Sequence, residues 1–201
     1  MALTTYSDLL SAVATWLARS DLTAQIPDFI VMFEAAFNRK VRVRRMETSV
    51  TLTPSGAGQV TLPADFLEMR RVTWLGDPRL SIEYVTPEYL QMYNSAQAEG
   101  YPQVYTIEGS TLQLAPISTT DVELAYYAKV PALSGSANWL FTQHPDLYLA
   151  GALFEAFSFI QDIQKAMAWK ARHDEIVGDI ISLDQAGKFP AAMRPMGVPT
   201  P

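Results

Sequence analysis

From Leu147 to Ile160 the chain carries a single charged side chain, Glu155, and the run follows a helix-start signal at His144-Pro145-Asp146. Proline suits the first turn of a helix, where its missing N–H would have no intrahelical partner, and aspartate there faces the positive end of the helix dipole. A helix that presents apolar side chains nearly all round has no solvent face of its own. It is also shorter than the roughly 20 apolar residues that a membrane span requires. The rest of the chain must therefore bury it.

The next segment offers one partner. After a break at Gln161-Asp162, with Asp162 as a cap, Met167, Trp169, Ile176, Ile180 and Leu183 recur near a helical period, and Lys165, Lys170, Arg172 and Glu175 fall between them. The pattern predicts a one-sided helix that ends near Gly187 and packs on the first. Two more helices are expected at the other end of the chain. Thr5-Tyr6-Ser7-Asp8 has the form of a capping box, with Leu9, Val13, Trp16 and Leu17 on one face behind it and an end near Arg19-Ser20. Pro27-Asp28 opens the second, in which Phe29, Phe33, Ala36 and Phe37 share a face.

At Met46 the period changes from helical to two. Val50 and Leu52 alternate with polar neighbours up to the turn 54–58, and Val60 and Leu62 are read as the returning partner strand. Leu62-Pro63-Ala64-Asp65-Phe66 predicts a short turn, Val72 and Trp74 a strand, Gly76-Asp77-Pro78 a turn, and Ile82 and Tyr84 another strand. Thr86-Pro87-Glu88 then caps a brief helix carrying Leu90 and Tyr93, which crosses the sheet. Residues 105–107 and 112–114 flank Glu108-Gly109-Ser110 as a hairpin, and Val122, Leu124 and Tyr126 mark a last strand.

Composition narrows the chemistry. At 201 residues and 49% hydrophobic content the chain suffices for one domain, or one domain with an insertion, around a packed core. The absence of cysteine excludes disulfides, thiolate catalysis, iron–sulfur clusters and cysteine zinc sites, and His144 and His173 alone argue against a histidine metal site. A net charge of −6 argues against broad, tight nucleic-acid binding, though not against a local basic patch. Met1 to Trp16 mixes Thr5, Ser7 and Asp8 into its apolar residues, which reads as neither secretory signal nor anchor, so a cytoplasmic origin is expected.

No catalytic constellation emerges. His144 precedes a helix-starting proline and His173 lies mid-helix between Arg172 and Asp174; both read as structural or solvent-facing rather than as the base of a triad. Gly56 and Gly58 lack the helix and lysine of a phosphate loop, and the carboxylates are scattered. The expectation is a non-enzyme that needs no cofactor or metal. The sharpest charge feature is Arg39, Lys40, Arg42, Arg44 and Arg45, five cations within seven residues. Cations at a helix C-terminus favour its negative pole, and the same arginines could bind an acidic partner or passing DNA; both readings stand. The tail 187–201, with Pro190, Pro195, Pro199 and Pro201, shows no period and reads as an extended arm. Lys188, Phe189, Pro190, Met193, Arg194 and Pro195 are its candidate docking residues, since proline lowers the entropy lost when an arm orders on a partner.

The order of features resembles the head-to-tail adaptor (connector or tail tubular) proteins of tailed, especially short-tailed, bacteriophages. The resemblance rests on Thr5 to Leu10, Ile26-Pro27-Asp28-Phe29-Ile30, the Arg39 to Glu47 junction, Leu62 to Leu67, and the Tyr105 to Pro116 hairpin followed by Ala125-Tyr126-Tyr127. It continues through Trp139-Leu140, His144 to Leu149 and the last helix with Trp169. It implies an α+β fold: an α-helical bundle from the N- and C-terminal helices, residues 1–45 and 137–186, with an inserted antiparallel β domain at 46–136 and an extended C-terminal arm at 187–201. It also implies a virion structural protein, assembled in the host cytoplasm. About twelve copies would form a homo-oligomeric ring at the head–tail junction. The ring would bind the portal protein above and the tail nozzle or other tail proteins below, with no membrane. Double-stranded DNA would pass the central channel in packaging and ejection without specific binding, which an acidic subunit suits because like charge repels phosphate. The alternative is a small nucleic-acid-binding regulator using 39–45, against which stand the acidic total and the lack of a helix-turn-helix. A hydrolase with a carboxylate site is a third reading.

Overall fold

The computed structural model describes residues 3–93, 98–134 and 136–188. Its described part is a mixed α+β structure with six α-helices and a curled seven-stranded sheet. The chain divides into two compact units, one made of residues 1–44 and 130–201, the other of residues 45–129.

In the first unit, α1 (Tyr6–Leu17) starts as its sequence dictates. Thr5 accepts from the Asp8 N–H and the Asp8 carboxylate accepts from the Thr5 N–H, closing the capping box. It ends two residues earlier than expected, because Ala18 turns left-handed at φ 53°. α2 (Ile26–Lys40) buries Phe29, Phe33 and Phe37. The short α4 (Trp139–Gln143), absent from the sequence reading, is capped by Asn138, whose side chain accepts from the Phe141 N–H. α5 (Pro145–Phe159) is the uncharged run, and it contacts α1, α2, α4 and α6 (Ile163–Lys188). Eight of its residues are buried, as a helix without a polar face requires.

Two expectations for the helices need correction. α6 continues through Gly187 to Lys188, so the arm expected from 187 cannot begin before Phe189; residues 189–201 lie outside those described. On the expected apolar face of α6, Ile176 and Ile180 are buried, but Met167 and Leu183 are exposed. Trp16 is likewise exposed and meets Trp169 edge to face, with ring centroids 5.4 Å apart.

The second unit holds β1 (Glu47–Leu52), β2 (Gln59–Thr61), β3 (Phe66–Trp74), β4 (Leu80–Tyr84), α3 (Pro87–Tyr93), β5 (Val104–Glu108), β6 (Thr111–Ala115) and β7 (Val122–Ala128). Strand order is β1-β7-β3-β4-β5-β6-β2. The hairpin expected from β1 and β2 does not form: β1 pairs with β7 and β2 with β6, at opposite edges. The sheet is also not purely antiparallel. β4 and β5 run parallel, and a parallel neighbour needs a crossover, which α3 supplies. The β3–β4 and β5–β6 hairpins form as expected, with Gly109 at φ 60° in the second turn. Val72, Leu112, Leu114, Val122 and Leu124 are fully buried in the core of the sheet. Tyr126 donates to Asp65 at 3.1 Å, and burial, followed by that carboxylate, pushes its hydroxyl up to about 12.

Two substitutions test this packing. A Cβ at Gly151 of α5 would overlap the Phe33 ring of α2, so Gly151→Ala should destabilise by about 1–3 kcal/mol, read as a melting temperature several degrees lower. An unchanged melt would mean that α2 and α5 do not approach this closely. Thr106 on β5 is fully buried and its hydroxyl has no partner, a state that costs about 1–3 kcal/mol. Thr106→Val should therefore melt at a higher temperature than the parent; a lower one would show that the hydroxyl is satisfied.

Candidate functional site

The five cations of the basic run have different local partners. Arg39 and Lys40 occupy the last turn of α2, where cations face the negative helix pole, and both are exposed. Arg42 folds back, and its Nη1 donates to the carbonyls of Asn38 and Val41, each at 2.7 Å. The Asn38 carbonyl is among the last four of α2, which have no intrahelical donor, so Arg42 acts as a C-terminal cap. Arg44 turns to α6. Its backbone N–H reaches Asp184 Oδ1 at 2.9 Å and its Nε reaches the same oxygen at 3.1 Å. Arg45 is exposed and falls in the other compact unit. The residues that the sequence brings together are thus divided between helix capping, a long-range ion pair and exposed charge. Of the candidate arm residues, Lys188 is the last residue of α6; Phe189, Pro190, Met193, Arg194 and Pro195 lie outside the described residues.

Beside the cations lies a cavity of about 100 Å³ among α2, α5 and α6. Phe33, Phe37 and Phe154 form its apolar wall, and Glu155 and His173 reach it from facing helices. Burial pushes the Glu155 carboxyl up, while His173 and Arg39 pull it back. His173 Nδ1 lies 3.0 Å from Asp174, which also takes Lys170 Nζ at 2.7 Å, and these contacts hold the Asp174 carboxyl below its usual range. Among the described residues that line this cavity there is no serine, threonine or cysteine. Among the described residues, no group of three or more His, Asp or Glu side chains could hold a metal ion. No helix among them is long and apolar enough to cross a membrane.

The most constrained polar feature is one the sequence reading missed. Glu34 of α2, Asn138 and Tyr148 of α5 are all buried. The Tyr148 hydroxyl donates to Glu34 Oε1 at 2.9 Å, and the Leu133 N–H donates to the same oxygen at 2.8 Å. Asn138 Nδ2 donates to the Tyr148 hydroxyl at 2.7 Å and to the Pro131 carbonyl at 2.6 Å. Nearby, the Val130 N–H donates to Asn38 Oδ1 at 3.0 Å. The signal was available: Glu34 sits between Ile30 and Phe37 on the apolar face of α2, and Asn138 directly precedes the apolar Trp139-Leu140-Phe141. The arrangement ties Val130, Leu133 and Asn138 to α2 and α5. It offers no open site for a substrate.

Burial is the main influence on Glu34 and pushes its carboxyl above the ordinary 4.5, against the pull of Leu133 and Tyr148. Burial also pushes the Tyr148 hydroxyl far up, so Tyr148 stays a donor. Between 4.5 and the raised folded value the native state binds more protons than the unfolded chain, so stability falls as pH rises through that window. Glu34→Gln keeps an acceptor for both donors and removes the titration. Its melting temperature relative to the parent should therefore rise between pH 4 and pH 7, whereas Glu34→Ala should be less stable throughout. A difference between Gln and parent that shrinks toward pH 7 would show that the folded carboxyl is stabilised as the anion.

The model of the SU10 adaptor protein family matches residues 4–198 of this chain. No individually curated protein matches it.

Proposed function

The chain belongs to the SU10 adaptor protein family, whose members are structural phage adaptors of the virion, and from that premise we propose that copies of it form the ring between portal and tail nozzle. The observation that carries this reading is the span of the family match, which takes in both compact units. In this reading the helices of residues 1–44 and 130–188 act as the bundle of the ring subunit, and the sheet unit is an insertion that adds contact surface. The ring encloses a channel for the genome in packaging and ejection, and the acidic subunit lets DNA slide past without sticking. The arm from Phe189, with Pro190, Met193, Arg194 and Pro195, docks on the portal. Arg39 and Lys40 face a protein partner.

A nucleic-acid regulator fits the arrangement less well, because Arg42 and Arg44 are already committed to carbonyls and to Asp184. Electron microscopy of the full-length chain mixed with its portal protein tests the adaptor reading. A ring stacked on the portal is expected, and truncation after Lys188 should weaken it at least tenfold. Absence of any portal complex, together with DNA binding that falls steeply with salt and is lost on neutralising Arg39 and Lys40, would replace the adaptor by the regulator.

A further inference from the structure

Charge is unevenly spread along this chain. Residues 45–129 hold ten carboxylates against five cations, a net of −5, which leaves −1 for all the rest. Within them, the 49 residues from Leu80 to Ala128 contain no lysine, arginine or histidine, six carboxylates, and seven of the nine tyrosines. The cations that precede this stretch on β3, Arg70 and Arg71, lie within 3.6 and 3.8 Å of Glu47 and Glu123.

Several of these tyrosines face solvent on one surface. Tyr84 at the end of β4 is 58% exposed, and on α3 Tyr89 is 53%, Tyr93 40% and Met92 79% exposed. Tyr84 and Tyr89 line one shallow groove with Glu83 and Thr86, and Glu88 is exposed one residue before Tyr89. The rings are held in place before any partner arrives. Tyr84 rests edge to face on buried Tyr105, Tyr89 stacks on Tyr93, and the Tyr93 hydroxyl donates to Gln103. Exposed tyrosine and methionine are what protein interfaces favour, and fixed rings cost little entropy on binding. With carboxylates at its rim and no cation in its stretch, the surface fits an arginine- or lysine-bearing partner, whose cation would sit over a ring face and pair with Glu83 or Glu88.

We propose that the β4–α3 surface of one copy docks the exposed Arg39 and Lys40 of a second copy. This rests on the ring reading and supplies its lateral contact. The two surfaces differ, so the contact is heterologous, the type that closes into a ring when the rotation fits. Charge complementarity favours this occupant: Arg39 and Lys40 are adjacent exposed cations for which no ion pair occurs among the described residues, although Arg39 acts on the Glu155 carboxyl, whereas Lys165, Lys170 and Arg172 on α6 are each ion-paired.

The test uses the full-length chain assembled on its portal protein, with p-benzoylphenylalanine in place of Tyr89, and maps the photo-cross-link by mass spectrometry. A cross-link to residues 39–45 of a neighbouring copy is the expected result. Rings that form while the cross-link lands on the portal, or elsewhere on the neighbour, would overturn this contact and leave the ring standing. No ring with the unsubstituted chain would overturn both. Charge exchange supplies a readout that misfolding cannot imitate. Glu83→Lys with Glu88→Lys should cut ring yield at least tenfold, as should Arg39→Glu with Lys40→Glu, and combining all four should restore it to within about threefold. Undiminished yield in either pair of substitutions, or no recovery in the combination, would sink the proposal.

Discussion

The helical unit depends on one buried carboxylate. Glu34 accepts from Tyr148 and from the Leu133 backbone, partners 114 and 99 residues away in sequence. Closing so long a loop costs entropy that local helix contacts do not return, so the unit needs contacts specific to its two chain segments. A purely apolar core would supply energy with little register. The Glu34, Tyr148 and Asn138 network supplies register, because a misplaced segment would leave a buried carboxylate and amide without partners. Its members are satisfied at the cost of desolvating Glu34, which is why its proton is held more tightly than usual.

Around that network the packing follows from α5. A helix with no polar face must be enclosed, and α1, α2, α4 and α6 enclose it. Gly151 lets Phe33 lie against the α5 backbone, and the Phe33 ring in turn meets Tyr148 at 4.9 Å between centroids. Apolar closeness and polar register therefore share the same residues. Arg42 and Arg44 extend the logic outward: one finishes α2, the other ties the chain to α6 through Asp184. Two of the five charges that read as a binding patch help hold helices together, and Arg39, Lys40 and Arg45 stand exposed beside them.

Adaptor function in such a chain asks for surfaces rather than for a catalytic centre. The described residues fit that demand. Large apolar side chains stand exposed on α3, α5 and α6. Exposed side chains of this size in groups mark contact areas.

What residues 3–188 reveal by sequence alone is local. The Thr5 capping box, the prolines at Pro27, Pro87 and Pro145, the uncharged run of α5 and the turn at Gly109 each act within a few residues, so their helices and hairpins were legible without tertiary information. The family resemblance was legible too, because it rests on the order of such local signals. Strand partnership was not. β1 and β2 alternate as a hairpin would, yet their partners are β7 and β6, chosen by which sheet edge each strand can reach and bury against. The parallel β4–β5 pair, the pairing of Arg44 with Asp184, and the burial of Glu34 were likewise decided in three dimensions. Each depends on groups far apart in sequence, whose meeting is set by packing and by the need to satisfy every buried polar atom.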